Sequence, residues 1–199
     1  MTASPPFFFS MGKNKLDNQP SQRCAENFDA FEQVITSNRS ERKGELYFCA
    51  GMRKGSHPNS SRYPIQANYR LAILAQSRRF ICFDHDSYES PEIFRMLMTD
   101  LGAYRGFAYS TWSSTPDAPR ARIVLEIDRE VDRAEGITLC ESFDQMLLAI
   151  YGALAIKTDP SVYRAEQPCY SPGRGAELYR FTGKTLCTAE LRERKKFAK

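Results

Sequence analysis

The spacing of hydrophobic positions along the chain predicts several helices. Phe28, Phe31 and Val34–Ile35 recur at the spacing that one helix face requires, which predicts a helix over residues 25–36. Ser90 and the proline after it begin a second apolar pattern, as N-cap and first-turn residues do. A third apolar helical face follows later in the chain. The second and third predicted helices cover residues 90–101 and 143–156.

Apolar runs between charged and turn-forming residues predict the strands. Arg79–Phe83 is continuously apolar after its first residue, which is typical of a strand buried on both faces. β-Branched and aromatic residues mark further segments of this kind. These predicted strands cover residues 45–51, 106–112 and 120–127. Because helices and strands are interleaved, the expected fold class is α+β, with helices packed on a mixed or antiparallel sheet in a split β-α-β arrangement.

The polar character of both ends divides the chain into three expected parts. Residues 1–22 are rich in Ser, Pro, Asn and Gln and are expected to form a flexible leader. Residues 23–188 are expected to form a single folded domain, followed by a basic tail over residues 189–199. The short apolar run at residues 5–9 has no basic segment before it and polar residues after it, so it predicts neither a signal peptide nor a membrane span.

Composition narrows the class of protein only slightly. Hydrophobic residues make up 42% of the 199 residues, which is enough for a core and argues against intrinsic disorder. A net charge of +4 permits a nucleic-acid partner without requiring one. The six cysteines include no C-x-x-C pair of the kind that a zinc ribbon needs. Without a signal peptide, the chain is expected to be cytoplasmic with reduced thiols.

Two carboxylates follow the buried apolar run. Asp84 and Asp86 are two residues apart, so in a strand they project to the same side. Carboxylates this close repel each other unless a positive group lies between them. A hard cation such as Mg²⁺ or Mn²⁺ takes oxygen ligands and suits this position. The same pattern fits two solvated surface acids, so alone it leaves both interpretations open.

Two later segments carry groups that suit phosphate or metal binding. Ser113–Asp117 is a hydroxyl-rich turn, and Arg122 follows it at the start of a predicted strand. Asp159 comes after a predicted helix, beside a hydroxyl and an arginine, in a proline-containing segment that ends in Gln167–Pro172. Taken alone, each segment also fits an ordinary surface turn.

Together these three segments resemble the archaeo-eukaryotic primase superfamily, in the branch found in plasmid and phage replication proteins. That family carries a D-x-D on a strand, a Ser-x-His or Ser-His-Thr-Pro-Glu turn leading into an R-x-R strand, and an Asp-x-Ser segment ending in Gln-Pro-x-Tyr-x-Pro. The matching residues stand in the same order within residues 45–175. They are Asp84-His85-Asp86, Ser113–Asp117 with Arg120-Ala121-Arg122, and Asp159-Pro160-Ser161 with Gln167–Pro172.

The resemblance implies an RRM-like catalytic core and a metal-dependent nucleotidyltransferase, a DNA primase or primase-polymerase. Its implied partners are nucleoside triphosphates and a single-stranded DNA template. A helicase or another replication protein is also compatible with the resemblance. The implied cofactor is Mg²⁺ or Mn²⁺, acting by two-metal chemistry. The implied catalytic residues and metal ligands are Asp84, Asp86 and Asp159. The implied nucleotide-binding residues are Ser113, Ser114 and Arg122.

One departure from the family opens alternatives. Ser114 stands where the family has histidine, and a hydroxyl cannot offer the charged donor of an imidazolium. A catalytically weak replication initiator or nucleic-acid-binding module is therefore the first alternative, and a metal-dependent nuclease is the second. The identity of the third metal-binding acid also stays open, because Glu126 or Asp128 could take the place of Asp159. His85 is expected to point away from the acids, as a core residue.

Overall fold

Strands and helices alternate in the computed structural model, which describes residues 6–63 and 65–197. The strands are β1 (Phe7–Lys13), β2 (Ser21–Ala25), β3 (Leu46–Ala50), β4 (Arg78–Tyr88), β5 (Arg105–Ser110), β6 (Ala121–Val131), β7 (Ile156–Thr158), β8 (Cys169–Tyr170) and β9 (Leu178–Thr182). The helices are α1 (Phe28–Ser37), α2 (Pro91–Asp100), α3 (Arg133–Tyr151) and α4 (Thr188–Phe197). Short 3₁₀ turns lie at Ala72–Leu74, Leu101–Ala103 and Pro160–Tyr163. This mixture confirms the expected α+β class.

The larger sheet has the strand order β7-β4-β6-β5-β9, and each neighbouring pair is antiparallel. Within it, β4-α2-β5-β6-α3-β7 forms the split β-α-β-β-α-β arrangement that the order of the predicted elements indicated. Ile81 and Phe83 of β4 and Ile123 and Leu125 of β6 are fully buried. These two strands therefore lie in the middle of the fold, as the apolar run in β4 predicted.

Helices α2 and α3 cover one face of this sheet. Ser90 caps α2, since its hydroxyl accepts a hydrogen bond from a first-turn N–H at 3.4 Å. Leu139 and Phe143 of α3 are buried in the apolar core that the helices share with the sheet. α3 ends before Gly152, whose φ of 113° favours glycine. Ile156 consequently lies in β7 and not in the helix predicted for it.

The start of α3 also differs from its prediction. The helix begins at Arg133 and not at residue 143. Asp132 caps it by accepting a hydrogen bond from a first-turn N–H at 2.8 Å. The apolar pattern is weak at this end because Gly136 packs against the guanidinium of Arg78 instead of presenting an apolar side chain. The helical spacing therefore becomes visible only in the second half of the helix.

The smaller sheet has the order β2-β1-β3-β8 and packs, together with α1, on the other face of the larger sheet. Phe31 of α1 lies at the centre of this contact. Its ring centroid is 4.9 Å from that of Phe9 in β1 and 4.9 Å from that of Phe80 in β4. Phe48 of β3 and Phe107 of β5 complete the aromatic cluster. The large sheet is thus enclosed between helices and a second sheet.

The expected flexible leader is largely folded, which corrects the prediction for residues 1–22. Residues 1–5 lie outside the described part of the chain, but Phe7–Lys13 forms β1 and the second strand begins at Ser21. Phe7 and Phe9 are 2% and 1% exposed, so they belong to the core. The polar residues around them lower the average hydrophobicity of the segment, which is why composition predicted a leader there.

The expected basic tail begins as helix α4. Leu191 in this helix is buried against the core on the helical face of the larger sheet. Its burial anchors the first turns of α4 to the domain, so the folded part extends past residue 188. Residues 198–199 of the expected tail lie outside the described residues.

The six cysteines are free thiols in this structure. Among the described residues, no helix combines the length and the apolar character that a membrane span requires.

Candidate active site

A cavity of about 590 Å³ opens between the two sheets. The larger sheet contributes Asp84 and Asp86 of β4 and Arg122 of β6. The smaller sheet contributes Tyr170 of β8 and the turn at residues 14–16, which joins β1 to β2. The other lining residues lie in loops and are Lys43, Gly44, Thr111, Trp112, Ser113 and Arg120. The volume suits a small-molecule ligand.

Asp84 and Asp86 both line this cavity, so they project to one side of β4 as predicted. The strand continues to Tyr88, which places the pair inside the strand and not just beyond it. The register of β4 against β7 shifts between His85 and Ser87, and such a bulge changes the direction in which nearby side chains point. Asp84 is 8% exposed, whereas Asp86 is half-buried. The fold therefore presents both carboxylates to the cavity at different depths.

His85 lies on the opposite face of β4, as predicted for a core residue. It is fully buried, and its Nδ1 atom lies 3.0 Å from the hydroxyl of Tyr88. Its ring centroid is 6.0 Å from that of Phe83, which shares the same face. Burial lowers the pKa of His85 to about 3, so its ring is neutral near pH 7. His85 therefore belongs to the helical side of the sheet and not to the cavity.

Arg122 faces Asp84 in register across β6 and β4. Its Nη2 and Nε atoms donate hydrogen bonds to Oδ2 of Asp84 at 2.6 and 3.1 Å. Its Nη1 atom donates to the backbone carbonyl of Tyr170 at 3.3 Å, and the guanidinium lies 5.4 Å from the centroid of the Tyr170 ring. Arg122 therefore links β4, which carries Asp84 and Asp86, to β8. Its positive charge already interacts with the Asp84 carboxylate and with Tyr170.

The carboxylates of the site are incompletely compensated. Burial raises the pKa of Asp84 above its ordinary value although the Arg122 guanidinium lowers it, and the charges of Asp86 and Asp159 add to the rise. Burial opposes the charge of Arg122, but the Asp84 carboxylate outweighs it and raises the pKa of Arg122. Arg122 thus only partly offsets the neighbouring carboxylates Asp84 and Asp86, which leaves this pair suited to hold a cation.

Asp159 is a backbone neighbour of Asp84, but its side chain is engaged elsewhere. Its N–H donates to the carbonyl of Asp84 at 2.8 Å. Its Oδ1 and Oδ2 atoms accept hydrogen bonds from the N–H and the hydroxyl of Ser161 at 2.9 and 2.8 Å. Asp159 therefore caps the 3₁₀ turn and does not line the cavity. In the described part of the chain, no group of three or more His, Cys, Asp or Glu side chains is arranged to hold a metal ion.

The two alternative third acids, Glu126 and Asp128, lie away from the cavity. Glu126 accepts a hydrogen bond from the Thr185 hydroxyl at 3.1 Å and pairs with Nε of Arg105 at 3.4 Å. Asp128 accepts a hydrogen bond from the N–H of Thr188 at 3.1 Å, at the start of α4. Along β6, Glu126 is about 13 Å from the nearest lining residue at the usual rise per residue of a strand. Both acids therefore interact with protein groups outside the cavity.

The turn between β5 and β6 separates the two serines that the resemblance assigned to nucleotide binding. Ser113 lines the cavity, and its hydroxyl accepts a hydrogen bond from Nζ of Lys43 at 3.4 Å. The hydroxyl of Ser114 accepts one from the N–H of Arg120 at 3.0 Å, which closes the hairpin. Ser114 does not line the cavity. Of the three expected nucleotide-binding residues, Ser113 and Arg122 reach it.

Several lining residues were not among the predicted site residues. Lys43 lies in a polar turn after α1 and Lys15 in the expected leader, so neither belonged to a motif. Arg120 belongs to the R-x-R match, which is the signal that could have identified it. Trp112 and Tyr170 stand in or beside matched segments, but an aromatic residue predicts a core position equally well. The cavity gathers four basic and two acidic side chains, which suits an anionic ligand.

The oxygen donors of the cavity fit a hard divalent cation. Asp84 and Asp86 offer the carboxylate oxygens that Mg²⁺ and Mn²⁺ prefer. Mg²⁺ is commonly held by one or two carboxylates and completes its shell with water and substrate phosphates. Lys43 and Arg120, which line the same cavity, are suited to such phosphates. Two carboxylates are therefore a sufficient protein contribution for this type of site.

Two solved structures similar to this chain are polymerase domains. The chain is similar to the AEP domain of the primase-polymerase of cyanophage S-2L, with 11% sequence identity and a TM-score of 0.48, over 94% of this chain and 86% of that one. It is also similar to the polymerase domain of Ligase D from Mycobacterium tuberculosis, in complex with DNA, with 14% identity and a TM-score of 0.40, over 98% of this chain and 68% of that one. No protein-family model and no curated protein matches the sequence.

Proposed function

We propose that this chain is a metal-dependent nucleotidyltransferase of the archaeo-eukaryotic primase type, which synthesises primers on a single-stranded DNA template in plasmid or phage replication. One observation carries the proposal: Asp84 and Asp86 project into the cavity that also holds Lys43, Arg120 and Arg122. Carboxylates that bind cations, together with basic groups that bind phosphates, are what nucleotidyl transfer requires. The order of the three sequence motifs supports the same function.

Asp84 and Asp86 are the residues that would hold Mg²⁺ or Mn²⁺. Held there, such ions would supply activation of an attacking 3′-hydroxyl and stabilisation of a leaving pyrophosphate. Asp86 forms no hydrogen bond or ion pair with another described residue, so its carboxylate is available without loss of a contact. Asp84 is engaged by Arg122, whose Nη2 atom lies 2.6 Å from its Oδ2. Asp84 would share its charge between the guanidinium and the cation.

Lys43, Arg120 and Arg122 supply positive charge for a triphosphate. Arg120 forms no ion pair in the described residues, and Lys43 contacts the hydroxyl of Ser113 at 3.4 Å. Both can therefore turn toward phosphate oxygens without breaking a strong interaction. Fixed charges of this kind orient the phosphates and stabilise the charge that develops during the transfer. The reaction then needs no covalent nucleophile from the protein.

A catalytically weak replication initiator or nucleic-acid-binding module is the second candidate, and two observations favour it. Both carboxylate oxygens of Asp159 bind Ser161 and not the cavity. Ser114 closes the β5–β6 hairpin at the position where the family has a histidine. A domain with this reduced set of site residues would bind nucleotide and template but join nucleotides slowly.

A primer-synthesis assay tests the proposal. The chain is incubated with Mn²⁺, labelled nucleoside triphosphates and a single-stranded DNA template. Asp86→Asn removes one carboxylate without breaking a protein contact, and Glu130→Gln, which changes an exposed acid of β6 outside the cavity, is the matched control. We expect Asp86→Asn to lower product formation by about 100-fold or more, the usual effect of removing one charge-stabilising group.

Each outcome of this assay separates two functions. Equal product from Asp86→Asn and Glu130→Gln would contradict the role given to the D-x-D pair. Binding of template and nucleotide by the native chain, without product, would favour the second candidate. Shortening of a labelled template that depends on Mn²⁺ and on Asp86 would indicate a nuclease, the further alternative that paired carboxylates allow.

A further inference from the structure

Trp112 is the single tryptophan of the chain, and it lies in the wall of the cavity. The residue is 43% exposed and lies two residues after Ser110, where β5 ends. A large apolar side chain left open beside basic groups is suited to a planar ligand that carries negative charge. Whether Trp112 can act in this way depends on the contacts of its indole ring.

One face of the indole ring rests on the backbone of Gly173. A Cβ atom at this position would lie 3.0, 3.1 and 3.2 Å from Cε2, Cζ2 and Nε1 of Trp112. The absence of a side chain at Gly173 therefore lets the ring lie flat against the chain. No other aromatic ring or cation of the described residues stacks on Trp112. The ring is held from one side and can receive a ligand on the other.

Tyr170, the other aromatic residue of the wall, does not offer such a face. The guanidinium of Arg122 lies 5.4 Å from its ring centroid. Gly44 lies close as well, since a Cβ atom there would be 3.6 Å from Cε1 of Tyr170. Contacts within the protein thus occupy the Tyr170 ring, and Trp112 is the lining residue that is free to stack.

We infer that the base of a mononucleotide stacks on Trp112 while its phosphates bind Lys43 and Arg120, and that this binding needs neither metal nor template. The inference rests on the proposed function and names the group that holds the base. Lys43 contacts Ser113, the residue next to Trp112, at 3.4 Å, and Arg120 follows on the same hairpin. The basic groups and the ring therefore lie within one small region of the cavity.

Trp112 fluorescence reports this binding, because no other tryptophan contributes to the emission. The native chain is titrated in EDTA with a nucleoside triphosphate, inorganic tripolyphosphate, the nucleoside alone and a short single-stranded oligonucleotide. We expect the nucleoside triphosphate to quench the emission and to bind about 5- to 100-fold more tightly than tripolyphosphate, which is the usual contribution of one stacked base. The nucleoside alone should bind far more weakly, because it lacks the phosphates.

Variants measured by titration calorimetry separate stacking from general effects. Trp112→Ala should weaken nucleoside triphosphate binding by the same factor and leave tripolyphosphate binding unchanged, whereas Trp112→Phe should retain most of the affinity. Phe8→Ala is the matched control, because Phe8 is 41% exposed and lies outside the cavity. Trp112→Phe keeps an aromatic ring and therefore maintains the test if Trp112→Ala fails to fold.

Several results would overturn the inference. They are equal affinities for nucleoside triphosphate and tripolyphosphate, equal nucleotide binding by Trp112→Ala and Phe8→Ala, and quenching by the oligonucleotide without quenching by the free nucleotide. If one of them occurs while primers are still made with Mn²⁺, the proposed function stands and the base is held elsewhere. If the nucleotide stacks as expected but no primer is made, the proposed function fails and the base site stands.

Discussion

Arg122 and Asp84 face each other on neighbouring strands, and two nitrogen atoms of the guanidinium donate to one carboxylate oxygen, Oδ2. Their side chains are 13% and 12% exposed, so little water remains to solvate either charge. A buried pair of this kind is stable as long as both partners are present, because removal of one leaves the other charged and unsolvated. The pair therefore links the stability of the fold to the electrostatics of the candidate site.

The first prediction concerns this pair. Arg122→Ala should lower the free energy of unfolding by about 3–5 kcal/mol, because Asp84 is left buried without its counter-charge. Arg120→Ala is the control, since Arg120 has no ion pair among the described residues and should change stability by about 0.5 kcal/mol or less. Urea unfolding at pH 7 measures both values. Similar losses for the two variants would show that the pairing with Asp84 is not what matters.

The second prediction concerns the pH dependence of stability. Burial raises the pKa of Asp84 in the folded state above 3.8, its ordinary value, so the folded chain binds this proton more tightly than the unfolded chain does. The native chain should therefore gain stability relative to Asp84→Asn as the pH falls through the folded pKa, and the gain should be complete below 3.8. Unfolding free energies of both proteins over this range measure the effect. A relative loss for the native chain would mean that the pKa is lowered.

The third prediction concerns metal binding. Mn²⁺ or Mg²⁺ at a concentration 100 times its dissociation constant should stabilise the native chain by about 2.7 kcal/mol, because a ligand that binds the folded state alone shifts the unfolding equilibrium. Thermal unfolding with and without the ion measures the shift in melting temperature. Asp86→Asn should abolish the shift, and Glu130→Gln, which changes an exposed acid outside the cavity, should preserve it. An unchanged melting temperature for the native chain would contradict the metal site.

The same measurement tests the role of Asp159. The side-chain amide of Asp159→Asn can still accept the hydrogen bond that Oδ1 receives from the N–H of Ser161 at 2.9 Å. The turn should therefore stay intact, although the asparagine NH2 group donates to the Ser161 hydroxyl instead of accepting from it. Because both carboxylate oxygens of Asp159 are engaged by Ser161, we expect this variant to retain most of the metal-dependent shift. Complete loss would place Asp159 among the ligands, as the sequence resemblance implied.

Part of the candidate site could be predicted because it depends only on residues that are close together in the sequence. Alternation along a strand places Asp84 and Asp86 on one side and His85 on the other, whatever the strand packs against. The cap at Ser90 and the apolar face of α1 are local signals of the same kind, and both helices form where they were expected. Such features depend on residues within one or two turns of each other.

The rest of the site depends on contacts between distant segments. Lys43 and Lys15 reach the cavity only because the smaller sheet packs on the larger one, and no local pattern reports that packing. Asp159 stands in the expected segment, but a hydrogen bond to Ser161 determines the direction of its carboxylate. Sequence spacing can therefore identify candidate residues, whereas the fold decides which of them share a cavity.

The last prediction concerns β1, which composition assigned to a flexible leader. Phe9 is 1% exposed and its ring centroid lies 4.9 Å from that of Phe31, whereas the neighbouring Phe8 is 41% exposed. Phe9→Ala should therefore lower the free energy of unfolding by about 3–5 kcal/mol, through lost burial and the cavity left behind. Phe8→Ala removes the same atoms from a half-exposed position and should lower the free energy of unfolding by about 1 kcal/mol or less. Urea unfolding distinguishes the two possibilities, because a flexible leader would give two small and equal effects. A large loss for Phe9→Ala alone would establish β1 as part of the domain, and with it the β1–β2 turn that lines the cavity.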